Sequence, residues 1–211
     1  MRARAQRGYS DRTGNTVHGE AQRSALVRAA YGLIAEKGFE GLRTRDVAQR
    51  ASVNIATLHY YFATKEDLIR GVVGLMRDIF SGKHPSGDFS EQEDPLLTFR
   101  EDLADLPHQW RMEPQLYIVL VELYLRSLRD PAIRRIMSEM EADWTEHLTG
   151  YLARGVAQGV FRQDLDITLL ATMLRTAIKG MILEILTYEE AFPAERIFIE
   201  IERWLGQHAR P

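Results

Sequence analysis

The chain has no cysteine among its 211 residues. This absence excludes a disulfide-stapled scaffold and metal sites with thiolate ligands, and it fits a protein of the reducing cytoplasm. No apolar run approaches the roughly 20 residues that a membrane-spanning helix needs. The N-terminus is rich in arginine but lacks an apolar stretch, so we expect neither a secretory signal nor a membrane partner.

Signatures of catalysis are also absent. The sequence contains no His-Glu-x-x-His, no Gly-Lys-Ser/Thr phosphate loop and no Gly-x-Ser-x-Gly, which mark zinc peptidases, nucleotide hydrolases and serine hydrolases. A di-iron site in a helical bundle needs repeated Glu-x-x-His pairs. The nearest approach to that pattern, Asp105-x-x-His108, contains Pro107. We therefore predict no catalytic residue, no metal and no cofactor, although an all-α enzyme stays open as an alternative.

Apolar residues recur at helical spacing. In the first such segment Leu26, Ala30, Leu33 and Ile34 follow one another at i, i+4, i+7 and i+8, as in an amphipathic helix. No segment alternates with the period of two that a half-buried strand shows, so the predicted fold class is all-α. With proline and glycine as boundaries, helices are predicted over residues 20–37, 44–51, 55–62, 65–80, 95–106, 114–128, 131–158, 167–188 and 193–207.

Charge is divided unevenly along the chain. Residues 1–70 carry 12 Lys or Arg against 7 Asp or Glu, a charge of +5, whereas residues 71–211 carry 15 against 23, a charge of −8. A basic N-terminal third followed by an acidic remainder favours a head that binds a polyanion. The predicted parts are a flexible Arg-rich arm over 1–19, a basic head over 20–66 and a helical body over 67–211, and a linking helix over about 65–80 spans the boundary between head and body.

Two short helical patterns, separated by a tight break at Ser52, stand out in the head. Thr44 is expected to cap the first helix and Asn54 to cap the second. In the second helix Leu58 and Phe62 form an i,i+4 pair that can anchor it in a core. The opposite face carries small residues, hydroxyls, an aromatic ring and an imidazole, and such groups can reach base edges and phosphates in a major groove.

The predicted DNA contacts lie on this outward face and at the starts of the neighbouring helices. A lysine just after the second helix would supply a cation for the phosphate backbone. Solvated surface roles stay open for His59, Tyr60 and Lys65. The predicted contact residues are Thr44, Arg45, Asn54, Ile55, Ala56, Thr57, His59, Tyr60 and Lys65.

Four motifs follow one another in the head: Gly-Phe at 38–39, Val-Ala-x-x-Ala at 47–51, Thr-Leu-x-Tyr-Tyr-Phe at 57–62 and Lys-Glu-x-Leu at 65–68. This ordered set resembles the N-terminal helix-turn-helix of the tetracycline-repressor (TetR) family. The chain departs from the family where Ser52 replaces a usual Gly, Ile55 a usual Lys and His59 a frequent Tyr. The resemblance implies a three-helix DNA-binding domain followed by a larger helical domain for ligand binding and dimerisation.

The last two predicted helices carry more apolar surface than one core-facing stripe needs, which suggests a second partner. The resemblance implies that these helices pack against their mates in a homodimer. The expected interface residues are Ile178, Ile182, Ile185, Phe198, Ile201, Trp204 and Leu205.

The resemblance also implies a cavity for a small-molecule effector in the body. Aromatic side chains and methionines make adaptable apolar walls, and a lone polar group sets orientation. A plain core role stays open for each candidate. Glu122 and Glu184 interrupt apolar runs; either could counter a cationic ligand or form a hydrogen bond at the dimer interface, and we expect both to face water. The candidate pocket residues are Trp110, Tyr117, Tyr124, Met137, Met140, Trp144, His147, Met173 and Thr176.

We therefore expect a cytoplasmic, ligand-responsive transcriptional regulator, most simply a repressor. It would bind a palindromic operator in double-stranded DNA as a homodimer and be released by an effector of unknown identity. The effector would act by swinging the linking helix, through its differential affinity for two states of the body. The alternative is a protein-binding adaptor whose head has lost its DNA affinity, since Ile55 removes a cationic donor.

Overall fold

The computed structural model describes residues 5–80 and 108–188, and in the last helix residues 193, 196, 197, 199–201, 203 and 204. For residues 5–17 it describes the backbone alone. Within these ranges the chain forms α-helices and one 3-10 turn (Phe39–Gly41) without strands, so the all-α prediction is confirmed. The helices are α1 (Ala5–Lys37), α2 (Thr44–Arg50), α3 (Ile55–Tyr61), α4 (Lys65–Phe80), α5 (Pro114–Ser127), α6 (Pro131–Ala157) and α7 (Ile167–Tyr188).

The observed bounds of α4 to α7 agree with the predicted ones to within a residue or two at each end. The predicted helix over 95–106 and the segment 81–94 between it and α4 lie outside the described residues. Residues 108–112 are helical, which the sequence analysis does not predict because it ends the preceding helix at Pro107. The interface candidates Phe198 and Leu205 also lie outside the described residues.

Helix α1 begins earlier than predicted. The sequence analysis begins it at residue 20 and assigns residues 1–19 to an arm, whereas the backbone is helical from Ala5. The segment contains no proline, and its glycines weaken a helix without stopping it. Apolar spacing reveals a helix that packs on a core, so a helical segment without that spacing escapes the prediction.

The predicted N-cap Asn54 is confirmed by a side-chain hydrogen bond, and Asp130 forms a second N-cap that the sequence analysis does not name. Asn54 Oδ1 accepts the backbone N–H of Thr57 at 2.7 Å at the start of α3. Asp130 Oδ1 accepts the N–H groups of Ala132 at 3.0 Å and Ile133 at 3.4 Å at the start of α6. Each acceptor satisfies amides that have no partner within the helix.

The predicted cap of α2 is wrong by one residue. Arg43 precedes the helix in an extended conformation, no side chain caps it, and Thr44 is already helical. Asp46 lies in the first turn, where a carboxylate interacts favourably with the helix dipole. It also lies 3.9 Å from the ammonium of Lys37, so α2 is held at its start by charge instead of a cap.

The turn between α2 and α3 has a defined hydrogen-bond pattern. Ser52 adopts a left-handed conformation with φ of 56°. The N–H of Ser52 donates to the carbonyl of Gln49 and the N–H of Val53 to that of Ala48, both at 3.0 Å. These two bonds form a Schellman motif, which satisfies the last carbonyls of α2. The serine therefore takes the left-handed conformation that glycine usually supplies.

A shared core fixes the direction of α3. Leu58 and Phe62 are buried, as predicted, against α1 and α4. Helix α4 crosses α1 at Gly71, where a Cβ atom would lie 2.8 Å from a methyl group of Val27. Because a side chain at Gly71 would collide with Val27, glycine allows α1 and α4 to pack closely. Phe62, which follows α3, packs at the same point, so α1 and α4 together fix the orientation of α3.

A carboxylate of the body contacts the end of α1. Glu122 of α5 accepts the backbone N–H of Phe39 at 2.9 Å. Gly38 ends α1 with φ of 70°, and a Cβ atom there would lie 3.1 Å from the Glu122 carboxylate. The expectation that Glu122 faces water is therefore wrong, because its carboxylate accepts the first amide of the 3-10 turn that follows α1. Glu184, by contrast, is exposed as expected.

Cations surround Phe39 at the same joint. Lys65 Nζ lies 4.3 Å, and the Arg126 guanidinium 5.0 Å, from the centre of its ring. Arg126 also pairs with Glu40 at 2.8 Å and with Asp130 at 2.9 Å. Arg126 therefore links the 3-10 turn of the head to the start of α6 in the body.

Helix α4 is tied to α6 by two further ion pairs. Arg70 pairs with Glu139 at 2.5 Å, and Arg77 pairs with Asp143. The hydrogen bond from Arg70 lowers the pKa of Glu139. The two acidic residues lie at i and i+4 on one face of α6, so this face follows the linking helix along its length.

Replacing Ser52 by Gly should stabilise the protein. A non-glycine residue in the left-handed region costs on the order of 1 kcal/mol, and glycine removes that cost, so we expect the free energy of unfolding to rise by roughly 0.5 kcal/mol or more. Ser138 is an exposed residue inside α6, and Ser138→Gly should lower the same quantity. Urea denaturation measures both changes. Equal signs for the two substitutions would contradict the left-handed assignment.

Gly38→Ala should destabilise the protein partly through Glu122. The new methyl group meets the left-handed backbone cost and crowds the carboxylate, so we expect a loss of at least about 1 kcal/mol. In a Glu122→Ala background the crowding is absent, and the loss should shrink by about 0.5 kcal/mol or more. A double-mutant cycle by urea denaturation gives this coupling. Strict additivity would show that the two residues do not touch.

Candidate functional site

The outward face of α3 is an exposed surface of large and small side chains. Tyr60 is 82% exposed, and Ile55, Ala56 and His59 are exposed beside it. The Tyr60 ring meets the ring of Tyr61 edge to face at 5.1 Å between centroids. A tyrosine that is exposed to solvent, yet fixed in position by a neighbouring ring, indicates a surface that binds a partner.

The inward side of α3 is fixed by polar as well as apolar contacts. The Tyr61 hydroxyl donates to the side chain of Gln22 at 3.1 Å. The guanidinium of Arg23 lies 5.3 Å from the centre of the Phe62 ring. Both contacts join the recognition helix to α1, so α3 cannot roll independently of the longer helix.

The remaining predicted contact residues divide by exposure. Arg45 and Asn54 are exposed, whereas Thr44 and Thr57 are half-buried. The Thr57 hydroxyl donates to Asn54 Oδ1 at 3.0 Å. The structure therefore brings these side chains to the outer side of the same two helices, and Arg43, which the sequence analysis omits, is exposed next to them.

Lys65 is placed differently from the other predicted contacts. Its side chain is half-buried with its ammonium over Phe39. Burial, and then the neighbouring Arg126, lower the pKa of Lys65. A phosphate contact by this residue stays a prediction, whereas its packing at the joint is what the structure shows.

Helix α2 is fastened to α1 by a two-pronged ion pair. Arg50 donates through Nη1 and Nη2 to the two carboxylate oxygens of Glu36, at 2.6 Å and 2.5 Å. The hydrogen bond from Arg50 lowers the pKa of Glu36. Such a bidentate pair fixes both the orientation and the distance of the two side chains, so it helps to hold α2 in place on α1.

The candidate pocket residues of the body do not form one set. Trp110, Tyr117, Met137 and Met140 are buried, and Tyr124, Trp144 and His147 are half-buried. Met173 and Thr176 are exposed on α7. Within the protomer these last two therefore face outward, because they lie on the opposite side of α7 from its buried residues.

Several of the buried rings pack on one another. The Tyr117 ring lies 5.2 Å from that of Trp110 and 5.9 Å, edge to face, from that of Phe80. The Tyr117 hydroxyl donates to the side chain of Gln109 at 3.3 Å, and burial raises the pKa of Tyr117. These contacts join the end of the linking helix to the body.

A charged cluster that the sequence analysis omits joins three helices of the body. Glu141 of α6 accepts hydrogen bonds from Tyr124 of α5 and from Arg175 and Lys179 of α7. The signal in the sequence is a pair of cations at i and i+4 inside an otherwise apolar helix. The spacing alone does not reveal the acidic partner, because Glu141 lies 34 residues away.

Other kinds of site find no support in the described part of the chain. Its His, Asp and Glu residues form no group of three or more that could hold a metal ion. None of its helices has the length and apolar character needed to cross a membrane.

Comparison with known proteins matches both halves of this arrangement. Residues 26–72 match the sequence model of the tetR family of bacterial regulatory proteins. Residues 106–209 match the model of the C-terminal part of BetI-type transcriptional repressors. Among curated relatives, the HTH-type transcriptional repressor KstR2 of Rhodococcus jostii (strain RHA1) is 27% identical over 160 residues, which are 73% of this chain and 74% of the relative.

Solved structures of similar proteins share the fold. A TetR-family transcriptional regulator from Rhodococcus sp. has a TM-score of 0.73 at 20% identity, with 90% of this chain and 99% of that one covered. A transcriptional regulator from Saccharomonospora viridis in complex with choline has a TM-score of 0.67 at 24% identity, with 89% and 96% covered. The chain belongs to the TetR family of bacterial regulatory proteins, which are DNA-binding transcriptional regulators and not enzymes.

Proposed function

We propose that the protein is a cytoplasmic repressor that binds a palindromic operator as a homodimer and leaves it when an effector occupies the body. The observation that carries this proposal is the exposed face of α3, with Tyr60 standing 82% exposed on a helix whose other side is fixed in the core. A short rigid helix with an open polar and aromatic face fits a major groove.

The proposed base contacts come from the middle of α3. Thr57, His59 and Tyr60 can offer a hydroxyl, an imidazole and a phenol to base edges or phosphates. Ile55 and Ala56 supply apolar contact, as thymine methyl groups accept. Arg45, exposed on α2, supplies positive charge for the phosphate backbone.

The exposed apolar stripe of α7 supports a homodimer. The exposed residues of the stripe follow one another at alternating intervals of four and three, which averages the 3.5 residues of a coiled-coil seam. A Cβ atom at Gly180, near the middle of the stripe, would have no atom within 4 Å, and small residues let two helices approach. The exposed seam consists of Leu169, Met173, Thr176, Gly180, Leu183 and Thr187.

The seam differs from the interface residues inferred from sequence. Ile178 and Ile182 are buried within the protomer, and Ile185 is half-buried. In the last helix Ile201 is half-buried and Trp204 is exposed, so Trp204 can contribute to the interface of the proposed homodimer. A two-fold dimer through α7 would present two copies of α3 to one face of a duplex.

Tyr60→Ala and His59→Ala should weaken binding to the selected operator. Loss of a base or phosphate contact costs about 1–3 kcal/mol. Met112→Ala removes a large exposed side chain of the body and should leave binding unchanged. Fluorescence anisotropy on a duplex selected from a random library measures all three.

The salt dependence of the same binding separates the repressor from a protein-binding adaptor. A DNA reader that neutralises several phosphates loses affinity steeply as salt rises. An absence of duplex binding at low salt, or a flat salt response, would favour the adaptor.

Charge placed in the seam should split the dimer. Met173→Glu with Leu183→Glu buries like charges against their two-fold copies, which is unfavourable without partners. Ala153→Glu adds a charge at an exposed position of α6 and should leave the dimer intact. Sedimentation equilibrium gives the mass of each variant. A double variant that stays dimeric while the wild type is dimeric would place the interface elsewhere.

A further inference from the structure

The cluster around Glu141 is a charged site inside the helical body. Glu141 Oε2 accepts a hydrogen bond from Arg175 Nη1 at 2.7 Å and another from Lys179 Nζ, and Oε1 accepts one from the Tyr124 hydroxyl. The side chains of Glu141, Arg175 and Lys179 are only 14%, 22% and 30% exposed. Burial, reinforced by Glu141, raises the pKa of Tyr124 and keeps its hydroxyl protonated as a donor.

Among the described residues, the charges in this cluster do not balance. Arg175 and Lys179 share one carboxylate oxygen of Glu141, which leaves an excess of positive charge in the described part of the site. Arg175 Nε is also buried and makes no hydrogen bond within the described residues. A buried donor without an acceptor carries a desolvation cost, and the cost is greater for a charged group. The cluster therefore has both the charge and a spare donor to accept an anion.

Apolar side chains lie on the same face of α6 as the cluster. Met137, Trp144 and Leu148 stand at −4, +3 and +7 from Glu141, which places all four on one side of the helix. Met137 and Leu148 are buried, and Trp144 is half-buried. An apolar wall with a few charged groups at one point is the usual composition of a site for a small amphipathic molecule.

We propose, on the basis of the effector-regulated function proposed above, that the effector carries an anionic head group, such as a carboxylate, on an apolar body. The anion binds Arg175 and Lys179 in competition with Glu141, and its apolar part lies along Met137 and Trp144. A cationic effector is disfavoured at this cluster, because the Glu141 carboxylate already pairs with Arg175 and Lys179. This chain thus differs in ligand charge from its relative solved with choline.

The same geometry connects the anion site to the DNA-binding head. Glu139 and Asp143, two residues to either side of Glu141, pair with Arg70 and Arg77 of the linking helix. An anion that releases Glu141 from α7 frees α6 to shift, and α4 follows through these two pairs. The coupling needs no contact between effector and head, only a contiguous set of paired elements.

Three probes that share one chain length test the charge of the ligand: octanoate, octan-1-ol and octyltrimethylammonium, all below their micelle concentrations. Isothermal titration calorimetry on the full chain gives their affinities. We expect octanoate to bind more tightly than the other two. Failure of octanoate to bind, or equal or tighter binding of the cationic probe, overturns the proposal.

Variants test the residues. Arg175→Gln and Lys179→Gln should each weaken octanoate by about tenfold, since each removes a charged hydrogen-bond donor. Arg135→Gln, at an exposed position of α6, should not. Glu141→Gln removes the competing carboxylate and should strengthen octanoate binding, so the proposal does not depend on loss of function alone. Unchanged affinity in both cation variants, or weaker binding in Glu141→Gln, contradicts it.

Duplex binding by the same preparations keeps the two proposals apart. If the protein binds its selected duplex but no octanoate, the proposal of a repressor stands and the proposal of an anionic effector is wrong. If it binds octanoate at Arg175 and Lys179 but no duplex, the anion site stands and the proposal of a repressor is wrong.

Discussion

The hydrogen bond between the backbone N–H of Phe39 and the carboxylate of Glu122 joins the head directly to the body through a charged acceptor. It lies where α1 ends, and α1 carries both α2 and α3 on its surface. A hydrogen bond to a charged group contributes roughly 1.5–3 kcal/mol. Because a tenfold change in DNA affinity corresponds to about 1.4 kcal/mol of coupling, this one bond is large enough to matter to the regulation of DNA binding. Gly38 makes the contact possible, since any larger residue would crowd the carboxylate.

Helix α6 forms ion pairs with both the linking helix α4 and helix α7. Residues two apart on a helix point to nearly opposite sides. Glu139 and Asp143 therefore face α4, while Glu141 between them faces α7. A shift or rotation of α6 cannot improve one set of ion pairs without disturbing the other. Helix α6 therefore has charged partners on two sides, through which a displacement at one side can reach the other.

Local features of the fold could be predicted from sequence, and features that depend on distant residues could not. Asn54 caps α3 because its side chain meets an amide three residues away, and the tight break at Ser52 is likewise a matter of neighbouring residues. The hydrogen bond from the Phe39 N–H to Glu122, at the start of the 3-10 turn, and the pairing of Glu141 with Arg175 join residues 83 and 34 positions apart. No periodicity encodes such pairs. The start of α1 was not predicted for a different reason: its first turns lack the apolar spacing by which a helix that packs on a core is recognised.

The two faces of α7 show why composition alone assigns interface residues poorly. Both faces are apolar, so counting hydrophobic residues cannot tell Ile178, which packs in its own protomer, from Leu183, which is exposed. Both faces show the alternating spacing of three and four residues, so only their exposure in the structure tells them apart. Arg175 and Lys179 lie one residue before Thr176 and Gly180 of that seam, so the proposed anion site and the proposed dimer interface share a helix. An anion bound there would therefore act on α7 as well as on α6, and it could change the spacing of the two recognition helices from both sides at once.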